Sequence, residues 1–272
     1  MQNTVNITLI GFGEVGQIFC RDFLARGDTR VSAYDIKFAS PDLGPPLRER
    51  ARAMGVIPGD SHADACAAAD IVISAVTADA ALAVAEQAAT YLRPSQIFFD
   101  VNSAAPGTKT KAAKLVNACG ARYVEGAVMA PVPGPDLKVP ILAGGPAAKE
   151  AAAILNGLGM NVDPVTTEPG RASAMKLCRS IMIKGIEALI VDCEKASREW
   201  DVQREVFASL EATFPGLKFD DIARYMRQRV NQHGLRRAAE MREAGQMLDD
   251  LGMDGSLSRA VADAQQRGAG KA

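Results

Sequence analysis

Val5-Asn6-Ile7-Thr8-Leu9-Ile10-Gly11-Phe12-Gly13-Glu14-Val15-Gly16 lies close to the start of the chain and decides its fold. Its first half reads as a short apolar strand and its second half as a GxGxxG turn, after which 17–26 continues at helical spacing. Strand, glycine-rich turn and helix, in that order, make a dinucleotide-binding turn. In this reading Gly11 permits the tight bend, Gly13 lets a cofactor pyrophosphate approach the backbone, and Gly16 lets helix and strand pack closely. The phosphates would rest on the positive end of the helix, beside Phe12, Glu14 and Val15. Taken alone, such glycines can serve the turn only. A second element agrees with the first: Val31-Ser32-Ala33-Tyr34 reads as a strand closed by Asp35. A carboxylate about 20 residues past the glycines accepts hydrogen bonds from the adenosine ribose and repels a 2′-phosphate. The expected cofactor is NAD, with NADP as the alternative because Lys37 lies nearby.

Further along, strands are expected at 71–76, 96–101, 123–128, 139–143 and 160–165. Helices are expected around 48–54 and at 78–90, 106–119 and 147–158. Strands alternating with helices imply a mostly parallel, doubly wound sheet, that is, a Rossmann domain. From Gly170 onward the strand signal ends, and helices are expected at 171–199, 201–212, 219–231, 234–251 and 255–267, before a frayed tail at 268–270. The organisation is therefore α/β: an N-terminal Rossmann doubly wound sheet over 1–165, then an all-helical C-terminal domain over 166–272. A site at their junction is the natural expectation.

The 272 residues carry a formal net charge of −1, so no field of one sign exists to draw in nucleic acid or an anionic membrane. The five cysteines are odd in number and have no metal-ligand spacing, so buried free thiols, a reducing cytoplasm and no metal are expected. No uncharged apolar run reaches the roughly 18 residues that span a bilayer. The N-terminus lacks the charged region of a signal peptide. These features point to a soluble cytoplasmic protein. His62 is expected in a surface turn, and Trp200 is expected to pack at the end of the long helix.

That long helix carries the second signal. At about 100° per residue, Ser173, Lys176, Ser180, Lys184 and Glu187 fall within a stripe about 80° wide. Met175, Leu177, Ile181, Met182, Ile183, Ile186, Leu189 and Ile190 occupy the other sides. A helix so apolar is expected to be buried, with its polar stripe facing polar partners or a cavity. Lys184 and Glu187 read as an i,i+3 ion pair. Lys176, close to the helix entry, would have a lowered pKa if partly desolvated and could exchange a proton; a structural ion-pair stripe is the alternative.

Four segments together resemble the β-hydroxyacid dehydrogenase superfamily, which includes 3-hydroxyisobutyrate, tartronate semialdehyde and 6-phosphogluconate dehydrogenases. They are Gly11 to Gly16; Asp100-Val101-Asn102-Ser103-Ala104-Ala105-Pro106, similar to D-x-S-[ST]-x-x-P; Glu125-Gly126-Ala127-Val128-Met129-Ala130-Pro131, at the place of D-A-P-V-S-G-G; and Gly170-Arg171-Ala172-Ser173-Ala174-Met175-Lys176, similar to G-x-G-x-x-x-K. The resemblance spans the chain. It implies Lys176 as catalytic acid/base, Ser103 as substrate-binding hydroxyl, Met129 and Ala130 beside the substrate, and a homodimer. It also shows departures. The family's asparagine one turn after the lysine is here Ser180. Its glycine pair, whose amides hold a substrate carboxylate, is here Ala130-Pro131, and proline has no N–H. With 175–180 and 233–241, these features resemble the "6-phosphogluconate dehydrogenase-like" branch, a label that rests on the shared cofactor domain and does not carry 6-phosphogluconate over as substrate.

Ser103 follows a strand end, where open α/β sheets place ligands; the other reading is a cap before Pro106. Asn102 could touch the nicotinamide ribose, and Val76 and Thr77 are similarly placed near the cofactor. His233 and Arg237 sit in a cationic cluster with Arg229 and Arg236, read either as a solvated face or as a hold for substrate. The leading function is an NAD-dependent oxidoreductase moving hydride between nicotinamide and a small hydroxy acid or sugar acid. A sugar-acid oxidoisomerase, an imine reductase (disfavoured by a lysine at 176) and a non-catalytic NAD(H) sensor are the alternatives.

Overall fold

A computed structural model describes residues 4–270. Its strands are β1 (Val5–Ile10), β2 (Thr29–Tyr34), β3 (Ile57–Pro58), β4 (Ile71–Ser74), β5 (Ile97–Asp100), β6 (Arg122–Val128), β7 (Pro140–Gly144) and β8 (Asn161–Thr166). They form one sheet in the order β3-β2-β1-β4-β5-β6-β7-β8. Neighbours run parallel except β6 and β7, which pair antiparallel. The helices are α1 (Glu14–Leu24), α2 (Gly44–Ala53), α3 (His62–Cys66), α4 (Ala81–Ala88), α5 (Pro106–Ala118), α6 (Ala148–Gly157), α7 (Arg171–Glu199), α8 (Gln203–Thr213), α9 (Phe219–Asp250) and α10 (Ser256–Gly268). This is a Rossmann sheet followed by an all-helical C-terminal region. The chain divides into two compact units between Lys176 and Leu177, so the first turns of α7 belong with the sheet.

In the first unit the parallel strands are buried on both faces, which is why β4 and β5 read as continuous apolar runs. Ile71, Ile73, Ile97 and Phe99 point to one face, where Phe19 and Phe23 of α1 and Leu155 of α6 close a core. Val72, Phe98 and Tyr123 point to the other, where Val84 of α4 and Ala112 and Val116 of α5 close a second. Strand order reverses direction at β1 and β4, the switch point beyond whose carboxyl ends such sheets bind ligands.

In the second unit, α9 is one helix where two were expected. The break expected between 231 and 234 is absent, and Gly234, inside α9, is a close contact: a Cβ there would meet the Gln265 carbonyl oxygen of α10 at 2.3 Å. The tail is likewise packed, with the Gly270 amide donating to the Asn231 carbonyl at 3.0 Å. Other expectations are corrected by the same logic of contacts. His62 is buried in α3, with its ring 4.5 Å from that of Tyr34. Trp200 is 82% exposed rather than packed. Cys20 and Cys66 are buried, and burial pushes the Cys66 thiol up to about 12, but Cys178 is exposed. Along α7 the polar stripe is the buried side, while Met182 and Leu189 are 63% and 72% exposed. Lys184, Glu187 and Glu194 are buried because each finds an oppositely charged partner, and the helix leaves an apolar flank outside.

The glycines separate packing from propensity. Gly185, inside α7, has nothing within 4 Å of a built Cβ. Gly185→Ala should stabilise the protein by up to about 1 kcal/mol through helix propensity. Gly234→Ala gains the same propensity but must displace α10 and should cost about 1–3 kcal/mol net. Denaturant titration of both variants checks the opposite signs.

Candidate functional site

The β1–α1 turn is shaped by close approach. Gly11 has φ +101°, and a Cβ there would meet the Ala75 carbonyl oxygen at 2.3 Å; a Cβ on Gly16 would meet the Gly11 oxygen at 2.1 Å. Gly13, by contrast, is exposed and has nothing within 4 Å of a built Cβ. It caps α1 with no side-chain hydrogen bond, so the helix start, with the amides of Glu14 and Val15, is not capped by a side chain of its own. That is a cradle a phosphate fits. Phe12 is buried, and its amide donates to Asp35 Oδ2 at 2.7 Å, while the Lys37 amide donates to Oδ1 at 2.9 Å. Two backbone donors thus hold the Asp35 carboxylate at the end of β2, beside the turn.

The loops after β4 and β5 are joined by Asn102, which is 4% exposed. Its Oδ1 accepts from the Val76 amide at 2.6 Å, and its Nδ2 donates to Ser74 Oγ at 2.9 Å and Asp100 Oδ1 at 2.7 Å. Both amide hydrogens are therefore occupied inside the protein. Thr77, next along, is exposed, and its hydroxyl bond helps hold the Asp79 carboxyl below its usual range. Asp100 also accepts from Lys109 Nζ at 2.8 Å and from the Tyr123 hydroxyl at 2.8 Å, all three groups being essentially unexposed. Burial first, and then the Asp100 charge, push the Tyr123 phenol well up, so it remains a donor.

Lys176 and Ser103 meet. Lys176 Nζ donates to Ser103 Oγ at 2.9 Å, and both residues are half-buried. Ser103 does not cap α5, whose cap is Ala105 with no side-chain bond. The turn that launches α7 is fixed from beneath: the amides of Gly170 and Ser173 donate to the two carboxylate oxygens of Glu125, which is fully buried. Beyond Glu125, the Met129 amide is occupied by the Pro140 carbonyl at 2.9 Å. Pro131 has no amide to give, so the 129–131 segment offers no pair of donors for a carboxylate; Ala130 lies between them, half-buried.

The second unit holds its own ionic network. Lys184 Nζ donates to Ser180 Oγ at 2.8 Å and to Glu240 at 2.6 Å. Glu187 accepts from Arg229 at 3.0 Å and from Arg237. The expected Lys184–Glu187 pair is thus replaced by partners on α9, Glu240 for Lys184 and Arg229 and Arg237 for Glu187. Burial depresses the Lys184 ammonium, partly offset by Glu240. Arg237 is buried with its Nε–H unpartnered. His233 is half-exposed, and its pKa is lowered by desolvation and by Arg236, Arg237 and Arg229.

Residues 6–166 match the family described as the NAD binding domain of 6-phosphogluconate dehydrogenase, and 198–268 match a domain of unknown function, DUF1932. A conserved hypothetical protein from Sinorhizobium meliloti 1021 is similar at 41% identity and TM-score 0.86, over 97% of this chain and 88% of that one. The conserved protein MTH1747, described as structurally similar to 3-hydroxyacid dehydrogenases, shares 30% identity at TM-score 0.77, over 97% and 99% of the two chains. The chain belongs to the β-hydroxyacid dehydrogenase superfamily. A 3-hydroxyisobutyrate dehydrogenase from Mycobacterium tuberculosis, at 16% identity and TM-score 0.78 over 97% and 93%, shares the fold.

Within this superfamily fold, the residues to which the sequence assigned no role of their own are those beneath the Ser103–Lys176 contact: Asp100, Lys109, Tyr123 and Glu125. Lys109 had a signal, since it stands in line with the buried Ala112, Ala113 and Val116 of α5. Removing one partner of a buried pair strands the other charge. Lys109→Met should cost about 3–5 kcal/mol, and adding Asp100→Asn should recover part of it; urea unfolding of the single and double variants checks this.

Proposed function

We propose that the chain is an NAD-dependent oxidoreductase that passes hydride between nicotinamide and the carbinol carbon of a small hydroxy acid or sugar acid. The Lys176–Ser103 contact carries the reading, because a half-buried amine on a hydroxyl at the carboxyl end of the sheet suits proton transfer at an alcohol oxygen. NAD would lie on the Gly11–Gly16 turn with its ribose on Asp35 and would supply the hydride acceptor. Val76 and Thr77 would flank it, with Asn102 fixing the loop they stand on. In oxidation, the neutral Lys176 amine takes the hydroxyl proton as the carbinol C–H leaves with its electron pair; in reduction, the ammonium returns it. Ser103 Oγ orients the oxygen. Met129 and Ala130 would border the substrate, without the amide pair that holds a carboxylate elsewhere in the family.

The exposed apolar flank of α7, with Met182, Ile186 and Leu189, supports a homodimer. Light scattering at micromolar concentration should return twice the chain mass; a monomer would remove this part of the proposal.

Turnover is best sought by NAD reduction across a panel of hydroxy and sugar acids. Lys176→Ala should lower it by about 10²–10⁴ while NADH affinity stays close to wild type, since phosphates and ribose are held elsewhere. Retained turnover would move the proton to another group. Fluorescence titration should show NADH binding tighter than NADPH, with Asp35→Ala narrowing the gap by about tenfold or more. Tighter NADPH binding in the wild type would show that Lys37 dominates Asp35.

A further inference from the structure

We propose that Glu125 is the positioning residue for Lys176. This rests on the reading of Lys176 as the acid/base, and it adds a residue that contacts neither cofactor nor substrate. Glu125 is 0% exposed, near the middle of β6. Its two carboxylate oxygens each accept one amide from the start of α7, Oε2 from Gly170 and Oε1 from Ser173. Helix starts leave such amides unpaired and carry positive potential, so a carboxylate there is bound by both hydrogen bonds and field. Lys176 stands on the next turn.

The surroundings are cleared for this contact. Gly144 pairs with Glu125 across β7, and a Cβ there would come within 3.0 Å of Glu125 Oε2. Gly170, at φ +96°, would set a Cβ 2.9 Å from Thr110 Oγ1 and 3.0 Å from the Pro106 carbonyl oxygen. Thr110 in turn donates to the carbonyls of Pro106 and Pro169. The start of α5, which follows Ser103, and the start of α7, which leads to Lys176, are thus in contact, with Glu125 under the second. Its register partner on β5 is Asp100, which holds Asn102 next to Ser103. Glu125 sets the height and direction of α7 on the sheet, and so brings Lys176 Nζ onto Ser103 Oγ.

The test compares wild type, Glu125→Gln, Glu125→Asp and Lys176→Ala in the full chain. Acetic anhydride labelling of Lys176, read by mass spectrometry against exposed Lys111 and Lys149, reports on the amine without needing a substrate. In Glu125→Gln, Lys176 should label about fivefold faster, the scale of one net hydrogen bond lost as the amine is no longer held on Ser103. Its kcat should fall about tenfold with KM and NADH affinity little changed, the mark of lost positioning for the proton step. Glu125→Asp keeps the charge, and both readouts should lie between Gln and wild type. Wild-type labelling and wild-type kcat in Glu125→Gln overturn the proposal. Should that variant not fold, wild-type values in Glu125→Asp do the same. Retained turnover in Lys176→Ala, with the labelling shift still present in Glu125→Gln, would leave Glu125 holding Lys176 and remove only the acid/base role.

Discussion

Two buried carboxylates lie side by side on neighbouring parallel strands, Asp100 at the end of β5 and Glu125 on β6, and the first unit is built around satisfying them. Like charges so placed repel, and an isolated buried carboxylate is costly. Each is met by a different device. Asp100 takes the ammonium of Lys109 and the hydroxyl of Tyr123. Glu125 takes the start of a helix. Neither solution works unless α5 and α7 begin at fixed points over the sheet.

Those two fixed points have functional consequences. Asp100 also receives the backbone and side-chain amides of Asn102, whose carbonyl holds the loop after β4 through the Val76 amide. One carboxylate therefore ties together the loops after β4 and β5, next to the glycine turn that closes β1. The other carries the helix that brings Lys176 to Ser103. The Ser103–Lys176 contact, at 2.9 Å, is made by two half-buried side chains whose supports are wholly buried. The polar groups beneath the contact are satisfied inside the sheet, and the contact itself lies just past the carboxyl end of β5.

What the sequence made legible was local. The glycine turn could be read because Gly11 and Gly16 answer to neighbours within the same βα unit or at the adjacent strand end, while Gly13 stands open. The sheet could be read because doubly buried parallel strands are apolar throughout. The start and end of α7 could be read because its pattern is long and unbroken. What depended on distant partners was hidden. The close seat of Gly234 was hidden because its contact, the Gln265 carbonyl, lies on another helix. Lys184 and Glu187 looked like partners because nothing in their spacing points to Glu240 or Arg237. Glu125 drew notice only as part of a family motif, since the amides it holds are 45 and 48 positions away. His62 looked like a turn residue because its burial comes from Tyr34, on a strand earlier in the chain.

The central claim is that this buried frame presents one surface on which NAD and the Ser103–Lys176 pair come together. A crystal structure of the full chain with NADH bound tests it most directly. The account predicts the pyrophosphate on the amides of the Gly11–Gly16 turn and the ribose hydroxyls on Asp35. It places nicotinamide C4 so that a carbinol carbon about 3–3.5 Å from it can have its oxygen on Lys176 and Ser103. NADH bound away from the glycine turn, or a nicotinamide ring that leaves no room for an alcohol between C4 and Lys176, would contradict it.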